Sequence, residues 1–182
     1  MKNYAITIKI DDNFSESIVN LQKKLNQKLS INDRLFNSSD PHIMFVAGKS
    51  NVNEKILIEK VSLFSKELNI KCIEFNGLAV FLNIHPTIFI RWKKKEEIEI
   101  LYQKCLIFFK NFFSNYHESC YPEIWLPKTT IATNDTNLRQ LNEISDIVFP
   151  FEFPKITNVR YLCLLSFDDK KEYLIEKFEI SN

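Results

Sequence analysis

The chain has 182 residues, of which 45% are hydrophobic and 26% are charged, and its formal net charge is +1. A chain of this length can bury well over half of its unfolded surface, so we expect a globular protein that folds without disulfides. The small net charge excludes a general attraction to nucleic acid, so any phosphate group must be recognised at a local site. Because the chain has only two glycines, glycine-rich phosphate-binding loops are excluded as well.

The cellular location is predicted from the first residues and from the cysteines. Apolar residues alternate with polar ones in MKNYAITIKI, which is typical of a strand and not of a signal peptide. No apolar run approaches the roughly 18 residues of a membrane helix. The four cysteines show no Cys-x-x-Cys spacing, so they are expected to be buried, reduced thiols. These features predict a cytoplasmic protein without membrane contact.

The first half of the chain predicts the order strand, helix, strand, helix and then a hairpin. Asp12 or Asn13 can cap the first helix, and Asn51 or Asn53 can cap the second. Apolar residues recur every three or four positions after each cap, which indicates one buried helix face. The predicted strands are Tyr4–Ile10, His42–Ala47, Lys71–Leu82 and Thr87–Trp92, with a turn at Asn83–Pro86 between the last two.

The second half approximately repeats this order. One helix is predicted from Lys95 to about Phe113, and another follows a cap at Asp135 or Thr136. The predicted strands are Thr129–Ala132, Val159–Phe167 and Tyr173–Ile180. No linker rich in Gly, Ser or Pro separates the halves, so we predict a single α+β bilobal domain over residues 1–182, with approximate halves 1–92 and 93–182. Each half is expected to hold an antiparallel-rich sheet and two helices, with a central cleft between the halves.

Two short stretches, one in each half, combine a proline, an ionisable residue and an apolar strand. They are Pro41-His-Ile-Met-Phe-Val46 and Trp125-Leu-Pro-Lys-Thr-Thr-Ile-Ala132. Side chains alternate between the two faces of a strand. The side chains expected to share a face are therefore His42, Met44 and Val46 in the first stretch and Lys128, Thr130 and Ala132 in the second. With these polar sets directed to the cleft, the two stretches form a site that fits a phosphodiester.

These stretches resemble the motifs of the 2H phosphoesterases, the superfamily of the bacterial 2′-5′ RNA ligase-like proteins and 2′,3′-cyclic nucleotide phosphodiesterases. PHIMF is similar to the first His-x-Thr/Ser motif of that family and PKTTIA to the second, and the order of strands and helices and the ending VRYLCLLSFDDKKEYLIEKFEI extend the resemblance over nearly the full chain. The resemblance implies that one histidine removes a proton from the attacking group and another protonates the leaving oxygen, while two hydroxyls bind the phosphate. It implies no cofactor and no metal ion.

The sequence departs from the family pattern at two of these positions, because Met44 replaces a hydroxyl and Lys128 replaces the second histidine. One hypothesis is a divergent phosphoesterase in which His42 is the general base, Thr130 binds the phosphate, and Lys128 neutralises it and is a candidate acid. Lysine normally titrates near a pKa of about 10.4, so this last role requires a pKa lowered by desolvation. The alternative is a protein that binds a nucleotide or an RNA end without turnover.

Further substrate contacts are predicted at Trp92, Trp125 and Tyr161, because aromatic rings stack on single-stranded bases. Packing in the core is the alternative for each of them, as it is for Met44, the fourth residue considered for substrate binding. His85 in the predicted turn and His117 in a loop are expected to be exposed. The expected partner is an RNA end or a small nucleotide in the cleft of a monomeric protein.

Overall fold

The computed structural model of the protein describes residues 1–29, 40–133, 136–168 and 171–180. The strands are β1 (Lys2–Ile10), β2 (His42–Ser50), β3 (Cys72–Phe81), β4 (Thr87–Trp92), β5 (Lys128–Ala132), β6 (Ile156–Phe167) and β7 (Glu172–Glu179). The α-helices are α1 (Asp12–Leu29), α2 (Glu54–Ser65), α3 (Glu96–Phe109) and α4 (Leu141–Val148). Single 3-10 turns are present at Glu118–Cys120 and Leu138–Gln140. The predicted α+β fold class is confirmed.

The predicted helix caps are partly confirmed. Asn53 caps α2, because its side-chain oxygen accepts the backbone N–H of Lys55 at 2.9 Å. The first helix is capped by Asp11 instead of Asp12 or Asn13, since the Asp11 carboxylate accepts two backbone N–H groups of the first turn at 3.0 and 3.2 Å. Asn137 caps the 3-10 turn that leads into α4. Thr136 therefore does not cap this helix, and Asp135 lies outside the described residues.

All seven strands belong to one antiparallel sheet in the order β2-β1-β6-β3-β4-β5, and β7 pairs with the remaining part of β6. We call β2, β1, β6 and β7 the first sheet section, and β3, β4 and β5 the second. The chain crosses between the sections twice, so each section contains strands from both predicted halves. The division predicted near residue 92 therefore does not coincide with a division of the sheet.

The core lies between the helices and the outer faces of the two sheet sections. Helix α1 contacts β5 and α4, whereas α2 and α3 contact strands of the first section. The face of α1 toward the core carries Phe14, Ile18, Leu21 and Leu25, which are all buried, as their spacing predicts. No helix in the described part of the chain is long and apolar enough to cross a lipid bilayer.

Strand β2 contains a β-bulge directly after the first motif. Thr7 of β1 pairs with Met44, and the adjacent Ile6 pairs with Val46. Phe45 is therefore the extra residue of β2. The bulge reverses the alternation of side chains, which places Val46 in the main core and Ala47 in the cleft. The prediction that Val46 shares the cleft face is therefore wrong.

Strand β5 has the same irregularity at the corresponding place. Phe89 of β4 pairs with Thr130, and the adjacent Ile88 pairs with Ala132. Ile131 is therefore the extra residue of β5. Ala132 is consequently buried in the main core, while the following Thr133 lines the cleft. The prediction that Ala132 shares the cleft face is also wrong, for the same reason.

Gly48 allows the segment 114–116 to lie directly against β2. A β-carbon at this position would be 3.0 Å from the carbonyl oxygen of Ser114 and 3.4 Å from the α-carbon of Tyr116. The neighbouring Lys49 exchanges two backbone hydrogen bonds with Ser114, at 2.8 and 2.9 Å. A side chain at Gly48 would thus push away the segment that leads to His117.

We expect Gly48→Ala to lower the free energy of unfolding by about 1–3 kcal/mol, because backbone atoms must move to accept the methyl group. Urea denaturation measures this change. Lys49→Ala is the matched control, since the side chain of Lys49 is exposed and its removal should change the stability by less than about 0.5 kcal/mol. Equal stabilities of the two variants would contradict the close approach.

Candidate functional site

A cleft of about 580 Å³ lies between β2 and β5, the two motif strands. Its floor is formed by Ala5 of β1 and by Leu165 and Phe167 of β6. The polar side chains that line it are Gln22, Asp40, His42, Asn83, His85, Thr87, His117, Glu118, Ser119, Lys128, Thr130, Thr133 and Glu172. All three histidines of the chain are therefore in the wall of one cavity.

The structure brings the four motif residues together in this cleft. His42 and Met44 line it from β2, and Lys128 and Thr130 line it from β5. All four are half-buried, so each side chain is held by its strand and still reaches the cavity. Strand alternation within each three-residue motif explains this arrangement, since both bulges come only after the motif.

The imidazole of His42 is oriented by the backbone just before its strand. Its Nδ1 lies 3.0 Å from the carbonyl oxygen of Asp40. A carbonyl oxygen only accepts hydrogen bonds, so Nδ1 carries the proton of the neutral ring and Nε2 has the lone pair. The Asp40 carboxylate is itself held at 2.6 Å by Lys9 of β1. The ring is thus set in the tautomer that a general base requires.

The side chain of Lys128, the first residue of β5, lines the cleft. Burial lowers the pKa of Lys128 below its ordinary 10.5, and the thiol of Cys120 and the carboxylate of Glu172 oppose this shift more weakly. Its Nζ also lies 5.9 Å from the centre of the Phe89 ring. The site therefore contains a cation that loses its proton more easily than an exposed lysine does.

The backbone of Thr130 is held by a side chain of α1. The amide of Gln22 in α1 donates a hydrogen bond to the Thr130 carbonyl oxygen at 3.3 Å. Gln22 is itself buried and lines the cleft. Its position on the polar wall of the site was not predicted, because nothing in the sequence connects a glutamine on α1 with β5.

Met44 itself carries no hydroxyl at the position where the first motif is expected to have one. Met44 pairs in register with Thr7 of β1, which is fully buried. The Thr7 hydroxyl has no hydrogen-bond partner among the described residues. The side chains beneath it, including Ala5, Ala47 and Cys163, form a small apolar cluster. The surface directly beneath Met44 is therefore apolar.

The three aromatic residues predicted to contact substrate differ in their position relative to the cleft. Trp92 is fully buried, donates its indole N–H to Thr129 at 3.0 Å and cannot stack on a bound base. Trp125 is buried at the edge of a side pocket of about 240 Å³ next to the cleft. Its indole stacks on Tyr102, with ring centres 4.0 Å apart. Tyr161 does not line the cleft and has Arg160 and Lys177 near its ring.

His85 and His117 are exposed, as predicted, but their place in the cleft wall was not predicted. His85 lies in the β3–β4 connection, and its Nδ1 is 3.2 Å from the carbonyl oxygen of Thr136. His117 precedes the 3-10 turn and donates its backbone N–H to the Ala47 carbonyl at 2.9 Å. The sequence offered one indication of a role in the site, namely that the chain has only these two histidines besides His42. Both are brought to the cleft by contacts between residues distant in sequence.

A metal centre is not indicated by the arrangement of potential ligands. Within the described ranges, no group of three or more His, Cys, Asp or Glu side chains is placed to hold a metal ion. Cys105, Cys120 and Cys163 are buried free thiols, and Cys72 is an exposed one. Burial raises the pKa of the Cys120 thiol, and the nearby Lys128 opposes this shift more weakly. The absence of a cofactor stays a prediction.

Comparison with known proteins supports the fold. No protein-family model and no curated protein matches the sequence. A crystal structure of a phosphoesterase is similar over 100% of this chain and 99% of that chain, with a TM-score of 0.55 and 9% sequence identity. Usb1 from Kluyveromyces marxianus is similar over 95% of this chain and 96% of that chain, with a TM-score of 0.48 and 12% identity. The first likeness confirms the predicted phosphoesterase fold.

The burial of Lys128 leads to a prediction about stability. A lysine with a lower pKa in the folded than in the unfolded chain destabilises the fold at every pH below the folded pKa. Lys128→Met should therefore raise the free energy of unfolding at pH 7, by about 0.5–2 kcal/mol. The gain should shrink as the pH rises through the lowered pKa of Lys128, where the buried group becomes neutral.

Denaturant titrations at several pH values measure this effect. Lys49→Met is the control, because Lys49 is exposed on β2 and its replacement should change the stability by less than about 0.5 kcal/mol. A Lys128→Met variant less stable than the wild type at pH 7 would show that the lysine is held by favourable contacts, contrary to this account.

Proposed function

We propose that the protein is a phosphoesterase that acts on a 2′,3′-cyclic phosphate or a 2′-5′ phosphodiester of RNA or of a nucleotide. The observation that carries the proposal is the convergence of His42, Lys128 and Thr130 from two facing strands in one cleft. A base, a cation and a hydroxyl donor are the groups that phosphate ester cleavage requires. The likeness of the fold to a phosphoesterase agrees with this combination.

The proposed reaction begins at His42. Its Nε2 accepts a proton from water, and the oxygen of that water forms a new bond to phosphorus. The bond from phosphorus to one ribose oxygen breaks, and this oxygen receives a proton from the Lys128 ammonium. The product is a phosphate monoester with a free ribose hydroxyl. Solvent then takes the proton from His42 and returns one to Lys128, which restores the site.

Lys128 performs two tasks in this mechanism, for which its environment is suited. Its positive charge compensates the phosphate charge in a cavity that also contains Glu118 and Glu172. Its lowered pKa makes the transfer of a proton to the leaving oxygen easier than from an exposed lysine. Thr130 holds a phosphate oxygen by its hydroxyl group, since Gln22 fixes the backbone of that residue.

A non-catalytic binder of a nucleotide or an RNA end is the second candidate. It is favoured by Met44, whose thioether is half-buried at the β2 side of the cleft and donates no hydrogen bond to phosphate. Loss of one oriented donor slows a reaction by about 10²–10³-fold, and loss of a general acid or base slows it by about 10²–10⁴-fold. The two candidates differ only in whether turnover is measurable.

The first test is hydrolysis of adenosine 2′,3′-cyclic monophosphate and of 2′-5′-linked oligonucleotides. We expect His42→Ala to lower kcat by about 10²–10⁴-fold, because the general base is removed. Lys128→His should raise the rate near neutral pH, since an imidazole is a better acid there than an ammonium group. Lys49→Ala, outside the cleft, should leave the rate unchanged.

The results separate the two candidate functions. Turnover that survives His42→Ala unchanged would exclude the proposed reaction. A wild-type protein that binds the nucleotides but does not hydrolyse them would support the non-catalytic binder. Absence of both binding and turnover would exclude both candidates.

The pH dependence of the reaction provides an independent prediction. The rate should fall on the alkaline side as Lys128 loses its proton, with a midpoint below the ordinary lysine pKa of 10.5, because burial lowers this pKa. Single-turnover rates measured with enzyme in excess give the profile for wild type and for Lys128→Met. An alkaline fall that persists in the Lys128→Met variant would show that another group donates the proton.

A further inference from the structure

The short turn that follows His117 is attached to β2 at the end of the cleft. The backbone N–H of His117 donates to the Ala47 carbonyl oxygen at 2.9 Å. The N–H of Ala47 in turn donates to the sulfur of Cys120 at 3.2 Å. These two contacts hold both ends of the turn on the same residue of β2, and Gly48 next to it leaves the space that this approach requires.

The same turn also reaches Met44 and Lys128. The side pocket beside the cleft is lined by Met44, Glu118, Ser119 and Lys128 together with aromatic and aliphatic residues. Lys128 is close enough to Cys120 for the two groups to influence each other's pKa. The turn therefore lies along the part of the cleft wall where the first motif lacks its hydroxyl and the second lacks its histidine.

The imidazole of His117 has the opposite tautomer to that of His42. The backbone N–H of Ser119 points at its Nδ1 at a distance of 3.3 Å, and the Ser119 hydroxyl is 2.8 Å from the same nitrogen. A backbone N–H only donates hydrogen bonds, so Nδ1 is an acceptor and the neutral ring carries its proton on Nε2. The nitrogen at the tip of the ring is therefore a hydrogen-bond donor, whereas in His42 it is an acceptor.

We propose that His117 contacts the substrate phosphate and donates its Nε2–H to a phosphate oxygen beside Met44, in place of a hydroxyl on β2. The inference rests on the proposed function, since it assigns a phosphate group to the cleft. It divides the histidines by role: His42 accepts a proton from the nucleophile, and His117 holds the phosphate with a hydrogen bond.

His85 is the natural comparison, because it is the third histidine in the same cleft. Its Nδ1–H donates to the Thr136 carbonyl oxygen, which leaves a lone pair on Nε2 in the neutral ring. A lone pair does not bind a phosphate oxygen. His85 contacts Thr136, after the second motif strand, whereas His117 contacts Ala47 of β2, the strand that carries Met44. It therefore serves as a matched control for His117.

A substitution that keeps the structural role of His117 separates that role from phosphate binding. The side chain of His117 caps the 3-10 turn by accepting the Ser119 N–H. Asparagine is among the best capping residues, so His117→Asn keeps this contact and removes the Nε2–H. His117→Gln is the rescue variant, because its longer amide carries N–H donors close to the position of Nε2.

The test measures the binding of adenosine 2′-monophosphate and 3′-monophosphate by calorimetry, with adenosine as the ligand that lacks phosphate. We expect His117→Asn to weaken the binding of at least one nucleotide by about 10- to 100-fold, as expected for one hydrogen bond to a charged group. Adenosine binding and the melting temperature should not change. His117→Gln should recover part of the loss, and His85→Asn should stay within about twofold of the wild type.

Three results would overturn the inference. The first is unchanged nucleotide binding in His117→Asn, with turnover of the wild type intact, which leaves the proposed function standing. The second is an equal loss of adenosine and nucleotide binding, which would indicate a role in shaping the cleft. The third is a wild-type protein that neither binds the nucleotides nor hydrolyses the cyclic phosphate, in which case the proposed function fails as well.

Long-range ¹H–¹⁵N spectra of the imidazole rings test the premise directly. The ring of His117 should show the proton on Nε2, while those of His42 and His85 should show it on Nδ1. Addition of adenosine 2′-monophosphate or 3′-monophosphate should shift the Nε2–H of His117. An Nδ1–H tautomer for His117 in the wild-type protein would contradict the assignment of a donor.

Discussion

The cleft depends on a sheet that folds back on itself. Strands β2 and β5 stand at opposite ends of the order β2-β1-β6-β3-β4-β5, and yet they contact each other. The change of direction occurs at β6, which pairs with β1 along one edge and is shared by β3 and β7 along the other. Leu165 and Phe167 of the same strand form part of the cleft floor. One long strand therefore brings the two motifs face to face and closes the base of the site.

Local features of this fold could be predicted from the sequence, and features that depend on distant contacts could not. The period of the apolar residues predicts the helices and strands, and alternation within each motif correctly places His42 and Lys128 in a common cleft. The bulges at Phe45 and Ile131 were not predictable, because an extra residue is visible only in the register between paired strands. The sequence also left open whether Trp92 contacts substrate or packs in the core, because its burial depends on packing against α1, which the sequence of its own strand does not indicate.

The backbone determines the chemistry of each imidazole in the cleft. Two of the rings have a carbonyl oxygen beside Nδ1, and the third has a backbone N–H there. Each contact forms within the ring's own turn or with a neighbouring segment, so the same residue type becomes an acceptor or a donor at its tip. The sequence shows only that three histidines exist. Whether a histidine can accept or donate a proton at a given place follows from which backbone group lies behind it.

Two of the segments that line the cleft beyond the motifs, the turn after His117 and helix α1, also cover parts of the free edges of β2 and β5. Edge strands expose unpaired backbone groups, which a protein must cover or protect. On β2 the groups of Ala47 bind His117 and Cys120, and on β5 the Thr130 carbonyl binds Gln22. Covering each edge thus places new polar side chains beside the motif that the edge strand carries. The contacts that stabilise the sheet edges therefore also hold these side chains at the cleft. Polar groups from outside the two motifs can in this way take the place of groups that the motifs lack.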